Sequence, residues 1–435
     1  MFIHDNLKMN SNGNLSFDGM DLCLLAKEYG TPAYIFSEDK ITSVCRIYRS
    51  AMEKCYGKDG YDVLYASKAF SAKEIYRIMK KENMGIDVVS VGEIYTAASA
   101  GFDMSRAYFH GNNKTPQNIE YAMKTGVGCF VADNLYEIEN IEKCAEKCGV
   151  TQKVILRVSP GIDAHTFKAV NTGKVDSKFG VAIATGQAME AVKYILSMPH
   201  IDFAGLHCHI GSQIFDHKPF CDAAKIMTEF IFEIKKECGV CVRELNLGGG
   251  FGARYVKDDP VPDYENMICK VAEAVKTNCK AYGIAVPKVL IEPGRSIVAE
   301  AGLTLYTVGS IKNITGYKSY VAIDGGMPDN PRYALYGSKY TALLCNDNKA
   351  CAKADFVCTI AGCCCESGDL IAEDIAIAEP KSGDIMAILS TGAYNYSMAS
   401  NYNKVARLPV IMIKDGKSRI AVSRESLEDM AKNDI

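Results

Sequence analysis

Several side chains in this sequence can do carbonyl, proton or anion chemistry. Lys68 ends the run Tyr65-Ala66-Ser67-Lys68. A lysine at the inward end of a strand and shielded from water has a lowered pKa, and its neutral amine attacks carbonyls. On a solvated loop the same lysine stays an ordinary ammonium. Asp87, Ser90, Glu93 and Arg157 add charge and hydroxyls at the ends of later apolar runs. His207 and His209 are two apart, so on a strand both face one side. That suits either a metal pair or a stacking and hydrogen-bonding role, and no nearby third ligand completes a zinc set. Gly248-Gly249-Gly250-Phe251-Gly252 is either a backbone anion nest or a tight turn. It is not a dinucleotide fingerprint, because Tyr255 stands where the third glycine belongs, and no Gly-Lys-Ser/Thr follows. Arg295, in Glu292-Pro293-Gly294-Arg295, offers a bidentate grip on phosphate or carboxylate. Cys363-Cys364-Cys365-Glu366 puts a thiol beside a carboxylate, which suits acid–base work better than metal binding. The isolated Cys238-x-x-Cys241 pair is a weak zinc or redox signal.

Elements must position these groups. Eight apolar β-type runs alternate with helical segments: Tyr61–Ala66, Ile86–Ser90, Ala107–His110, Gly128–Ala132, Val154–Val158, Phe203–His209, Arg243–Gly248 and Lys288–Glu292. Two intervening helices show clear one-faced spacing, through Phe220, Ala223, Met227, Phe230 and Ile234, and through Met267, Val271, Val275 and Cys279. A further helix covers about Glu38–Cys55. The count and the even spacing predict a (β/α)8 TIM barrel rather than an open doubly wound sheet. In such a barrel, function sits at the C-terminal strand ends and the loops after them, where Lys68, Asp87, Ser90, Glu93, Arg157, His207, His209, the glycine run and Arg295 fall. After Glu292, β-runs recur without long helices, at Leu303–Val308, Ser319–Ile323, Asp355–Ile360, Ile385–Leu389, Val410–Ile413 and Arg419–Val422. They predict a C-terminal antiparallel β-domain, sandwich or barrel-like, that the N-terminal segment joins. The expected divisions are residues 1–35, 36–295 and 296–435.

Composition narrows the function classes. In 435 residues, 49 Lys+Arg against 52 Asp+Glu leave a net charge of −3, so no footprint for nucleic acid or an anionic membrane exists. No apolar run approaches the ~20 residues that span a bilayer, and no signal peptide is visible. Eighteen cysteines scattered through such a chain read as mostly free thiols in a reducing, cytoplasmic compartment.

Taken in order, the motifs resemble the diaminopimelate decarboxylases. These are barrel-type (fold III) pyridoxal-phosphate decarboxylases, a group that includes the ornithine and arginine enzymes. The resemblance runs from Gly30-Thr31-Pro32 to Asn401-Tyr402-Asn403. It is carried by Tyr65–Ala69, Asp87–Ser90, His110–Lys114, Asp176–Gly180, His207–Gln213, Gly248–Gly252, Glu292–Arg295, Cys365–Ser367 and Gly392–Tyr394. It implies pyridoxal 5'-phosphate held covalently by Lys68, with Glu292 at the pyridine nitrogen and His209 stacked on the ring. Asp87, Ser212, Gly250, Gly294, Arg295 and Tyr394 would complete the cofactor site, mostly around the phosphate. Arg295, Arg332, Tyr336, Glu366 and Tyr394 would hold an amino-acid substrate, and Cys365 would return the proton. In this family Cys365 and Glu366 reach a partner's active site, which implies a homodimer. The carboxylate of Glu366, the Asp324–Met327 run leading to Arg332, and the His207-Cys208-His209 motif imply diaminopimelate rather than a polyamine precursor. Phe70, Val91 and Tyr333 depart from the family's usual Asn, Gly and Pro.

Three rivals remain at this stage. One is a decarboxylase of another basic amino acid (ornithine, arginine, D-lysine, D-ornithine or carboxynorspermidine). Another is an inactive partner-binding relative, which would have no use for both Lys68 and Cys365. The last is a racemase on the same barrel, which needs an opposing tyrosine rather than a thiol.

Overall fold

The computed structural model describes residues 2–162 and 177–435. By packing, the chain divides into two compact units, one of residues 44–252 and 262–294 and one of residues 1–43, 253–261 and 295–435.

The first unit is a closed barrel. Strands Tyr61–Ala66, Gly85–Val88, Ala107–Phe109, Cys129–Ala132, Gln152–Ser159, Ile201–His207, Glu244–Asn246 and Lys288–Ile291 pair in parallel in chain order. The last strand then pairs with the first, Ile291 opposite Val63, so no edge is left open. Closure decides against the open sheet. Leu64, Tyr108, Cys129, Val131, Ile155, Ala204 and Leu290 form a buried cluster contributed by six of the eight strands. Helix Lys218–Cys238 buries Phe220, Ala223, Met227, Phe230 and Ile234, and helix Tyr264–Tyr282 buries Met267, Val271, Val275 and Cys279, as their spacing predicts. Helix starts are set by side-chain caps from Ser90, Thr115, Asn134 and Asp263, each accepting a backbone N–H.

The second unit is a β-domain around the long strand Gly302–Ile314. That strand pairs antiparallel with Lys318–Ile323, Ile385–Ile388 and Ala33–Ser37. The expectation of a purely antiparallel sheet is corrected here. Ala33–Ser37 runs parallel to Val410–Lys414, and Lys318–Ile323 runs parallel to Phe356–Ala361. Parallel pairing joins distant stretches of chain, so strand composition alone does not reveal it. The N-terminal segment packs into this unit through Leu7, Leu15, Phe17, Leu25 and Ile35, against Leu303, Leu305, Leu389 and Ile411. All eighteen cysteines are free thiols. Among the described residues, no helix is long and apolar enough to cross a membrane.

Candidate active site

The C-terminal ends of the barrel strands gather the polar residues that the sequence singles out. Asp87, at the end of the second strand, is fully buried and accepts a 3.1 Å ion pair from Lys68 Nζ. Of the two readings of Lys68, the structure favours the solvated one: 44% of its side chain is exposed. Its strand ends at Ala66, and a single helical turn, Ser67–Ala69, turns it outward to meet the Asp87 carboxylate.

Glu292 lies deeper. Its Oε1 accepts from Asn246 Nδ2 at 2.7 Å and lies 2.8 Å from His110 Nε2, and its Oε2 lies 3.2 Å from His207 Nε2. Burial favours the protonated acid, but His110 and His207 prevail and hold this carboxyl well below the usual carboxylate range. Burial pushes His207 down to about 4 although Glu292 pulls the other way, so its imidazole is neutral at neutral pH. An ionised carboxylate only accepts, so His207 presents Nε2–H to it, while His110 Nε2 lies close by without hydrogen-bond geometry. His110, His207 and Glu292 are also the group, among the described residues, with ligand atoms close enough for a metal, within 4.8 Å. His207 and Asn246 hydrogen-bond the carboxylate and His110 stands 2.8 Å from it, so the three side chains clamp Glu292. Burial, then the nearby Lys68 and Arg157 charges, push His209 well below its ordinary value, leaving a neutral ring.

The glycine run forms a backbone cradle. Gly248 N–H donates to Asn246 Oδ1 at 2.9 Å, and Gly249 N–H to His209 Nδ1 at 3.3 Å. Ile214 N–H donates to Gly250 O at 2.9 Å, which brings the Ser212 loop beside Gly250. No side chain fits at two of these glycines. A Cβ on Gly249 would stand 2.1 Å from Glu292 O, and one on Gly250, at φ +115°, 2.5 Å from Gly211 O. Gly294 is equally tight, with a Cβ 2.8 Å from that of Ala66.

The β-domain holds its own cluster. Arg295 and Arg332 are both buried, and their guanidinium carbons lie 4.9 and 5.3 Å from the Tyr394 ring centroid. Arg295 donates from Nη1 to Tyr255 Oη at 2.7 Å. Arg332 lies 5.4 Å from the Tyr336 ring, and its Nε is buried without a hydrogen-bond partner. Two buried cations beside tyrosines suit an anionic ligand. Cys365 and Glu366 lie elsewhere in this unit, on an exposed loop where Glu366 accepts from Gly368 N–H at 3.2 Å and from Tyr402 Oη at 3.4 Å.

Sequence reasoning missed the partners that set these groups. Asn246 sits at the end of a strand, His110 belongs to a resemblance motif without a role of its own, and Tyr255 reads only as a non-glycine. No local signal marks them, because each acts on a residue distant in sequence. Of the three departures, Phe70 is fully buried, Val91 opens a helix after its Ser90 cap, and Tyr333 donates to Glu373. Asp176 lies outside the described residues.

A closed barrel with a lysine after strand one and an ionised glutamate after strand eight defines a class, the pyridoxal-dependent decarboxylases. Residues 39–299 match the family model described as pyridoxal-dependent decarboxylase, pyridoxal binding domain. The chain is 46% identical over 429 residues to diaminopimelate decarboxylase of Staphylococcus aureus (strain COL), covering 98% of this chain and 99% of that one. It is 43% identical over 435 residues to that of Bacillus subtilis (strain 168), with 100% and 98% covered. The crystal structure of the M. jannaschii diaminopimelate decarboxylase in complex with L-lysine matches with a TM-score of 0.91 at 33% identity, covering 100% of this chain and 99% of that one. The chain belongs to the diaminopimelate decarboxylase family. Its cofactor is pyridoxal 5'-phosphate, and the barrel end fits that group. It offers a lysine amine for the aldehyde, an ionised carboxylate for the pyridinium, and a glycine cradle with no room for side chains.

Proposed function

We infer that this chain decarboxylates meso-2,6-diaminopimelate to L-lysine and CO2, the last step of lysine biosynthesis. The observation that carries the chemistry is the pair of Lys68, ion-paired to Asp87, and Glu292, held ionised in a buried site. Full-length identity of 46% and 43% to diaminopimelate decarboxylases supports the substrate.

When bound, pyridoxal 5'-phosphate supplies a ring that takes up the electron pair left by the departing carboxylate. Lys68 would hold the cofactor through its amine and give way to the substrate amine, with Asp87 orienting that amine. Glu292 would keep a proton on the pyridine nitrogen, which a neutral carboxyl would not do. His209, neutral, would pack on the ring. Ser212, Gly250, Gly294 and Arg295 would bind the phosphate, with Tyr394 beside it. Arg295, Arg332, Tyr336, Tyr394 and Glu366 hold the substrate, with Arg332 on the distal carboxylate and Glu366 on the distal ammonium. After CO2 leaves, the Cys365 thiol, or else Lys68, gives a proton to the carbon.

In this reading residues 36–295 bind the cofactor, while residues 296–435 with 1–35 supply substrate-binding groups. The enzyme is a cytoplasmic homodimer, each subunit lending Cys365 and Glu366 to its partner. Borohydride reduction of the loaded chain, followed by peptide mapping, tests the core assignment. The pyridoxyl label is expected on Lys68 alone, and a label on another lysine contradicts it.

A further inference from the structure

The loop that bears Cys365 joins strands Phe356–Ala361 and Leu370–Ile377. Cys363, Cys365 and Glu366 are exposed, but the residue that ends the loop is not: Asp369 is 2% exposed. Both of its carboxylate oxygens are held by backbone N–H groups. Oδ2 accepts from Cys364 N–H at 2.7 Å, and Oδ1 accepts from Met327 N–H at 2.6 Å. Its own N–H donates to Glu366 O at 3.1 Å, and its carbonyl accepts from Gly362 N–H at 2.8 Å. A further bond, Cys363 N–H to Gly325 O at 2.9 Å, runs alongside. The space around the carboxylate is closed, because a Cβ on Gly326 or Gly362 would stand 2.3 or 2.2 Å from Asp369 Oδ1. One buried carboxylate therefore grips the residue next to Cys365 and fastens the loop to the Gly325–Met327 turn.

We propose that Asp369 is a positioning residue for Cys365, fixing the loop in the conformation from which the thiol returns its proton. The proposal rests on Cys365 being the proton donor. A buried aspartate that only satisfies a turn would predict lost stability and no link to the thiol. A double-mutant cycle separates the two.

The loaded full-length enzyme is assayed as wild type, Asp369→Asn, Cys365→Ala and the double variant. Asparagine keeps the shape but turns an N–H donor toward a backbone N–H, so one arm of the grip is lost. Asp369→Asn is expected to lower kcat about 10- to 100-fold with the cofactor absorbance band unchanged, the loss of one or two buried charge-assisted hydrogen bonds expressed as rate. In the Cys365→Ala background the same change is expected to add less than about two-fold. Independent, multiplicative effects, or an unchanged kcat for Asp369→Asn, overturn the positioning role while leaving the thiol's role intact. An unchanged kcat for Cys365→Ala is a different failure, that of the proton-donor assignment beneath it. If Asp369→Asn does not fold, Gly362→Ala keeps Asp369 but presses a methyl against it, and the cycle is read the same way.

Discussion

Glu292 shows how neighbours reverse what burial alone would do. A carboxyl out of water favours its neutral form, yet Asn246, His110 and His207 keep this one ionised. Glu292→Gln should retain the cofactor on Lys68 and lower kcat at least about 100-fold, the scale of losing one preorganised electrostatic group. Steady-state kinetics with the absorbance spectrum checks this, and near-wild-type turnover would remove Glu292 from the mechanism. Lys68, Glu292 and Arg295 were legible in the sequence because each falls just after an apolar run that had to be a strand. The clamp on Glu292 was not, because His110, His207 and Asn246 come from after strand three, from strand six and from strand seven, and meet only once the barrel closes.

Among elements, the barrel strands and six β-domain strands are legible in the sequence, but the β-domain strand Leu370–Ile377 is not. A parallel strand buried on both faces is a continuous apolar run. Strand Leu370–Ile377 carries Glu373 and Asp374 at its middle, where they pair with Lys318 at 3.1 and 3.5 Å, so it does not look apolar. The turn after Ile323 carries a titrating group. Burial pushes Asp329 up to about 7, against the bonds from Tyr306 and Gly326 N–H that pull it down. The folded chain therefore keeps this proton between the unfolded value near 4 and about 7. Its contribution to stability is full below the unfolded value and is lost as pH rises through the folded one. Wild type should lose up to about 4 kcal/mol relative to Asp329→Asn between pH 4 and pH 8. Denaturant midpoints of both proteins across that range measure the gap, and a pH-independent gap would place the titration elsewhere.

For the molecule as a whole, the length resolves into a barrel and a β-domain, and the near-neutral charge is compatible with a small zwitterionic substrate. What the chain does with a second copy of itself is not written in its composition. The proposed sharing of Cys365 and Glu366 between two subunits predicts complementation. Lys68→Ala and Cys365→Ala, each nearly inactive, should regain about a quarter of wild-type activity after subunit exchange, because half the dimers then hold one site with both groups. No recovery would mean that each subunit uses its own thiol. The central claim is the reaction itself. Purified enzyme loaded with pyridoxal 5'-phosphate is incubated with meso-2,6-diaminopimelate or with ornithine, and amine products and CO2 are quantified. L-lysine and CO2 in equal amounts from diaminopimelate, with little turnover of ornithine, is the expected result. Putrescine from ornithine, with no lysine from diaminopimelate, would contradict it.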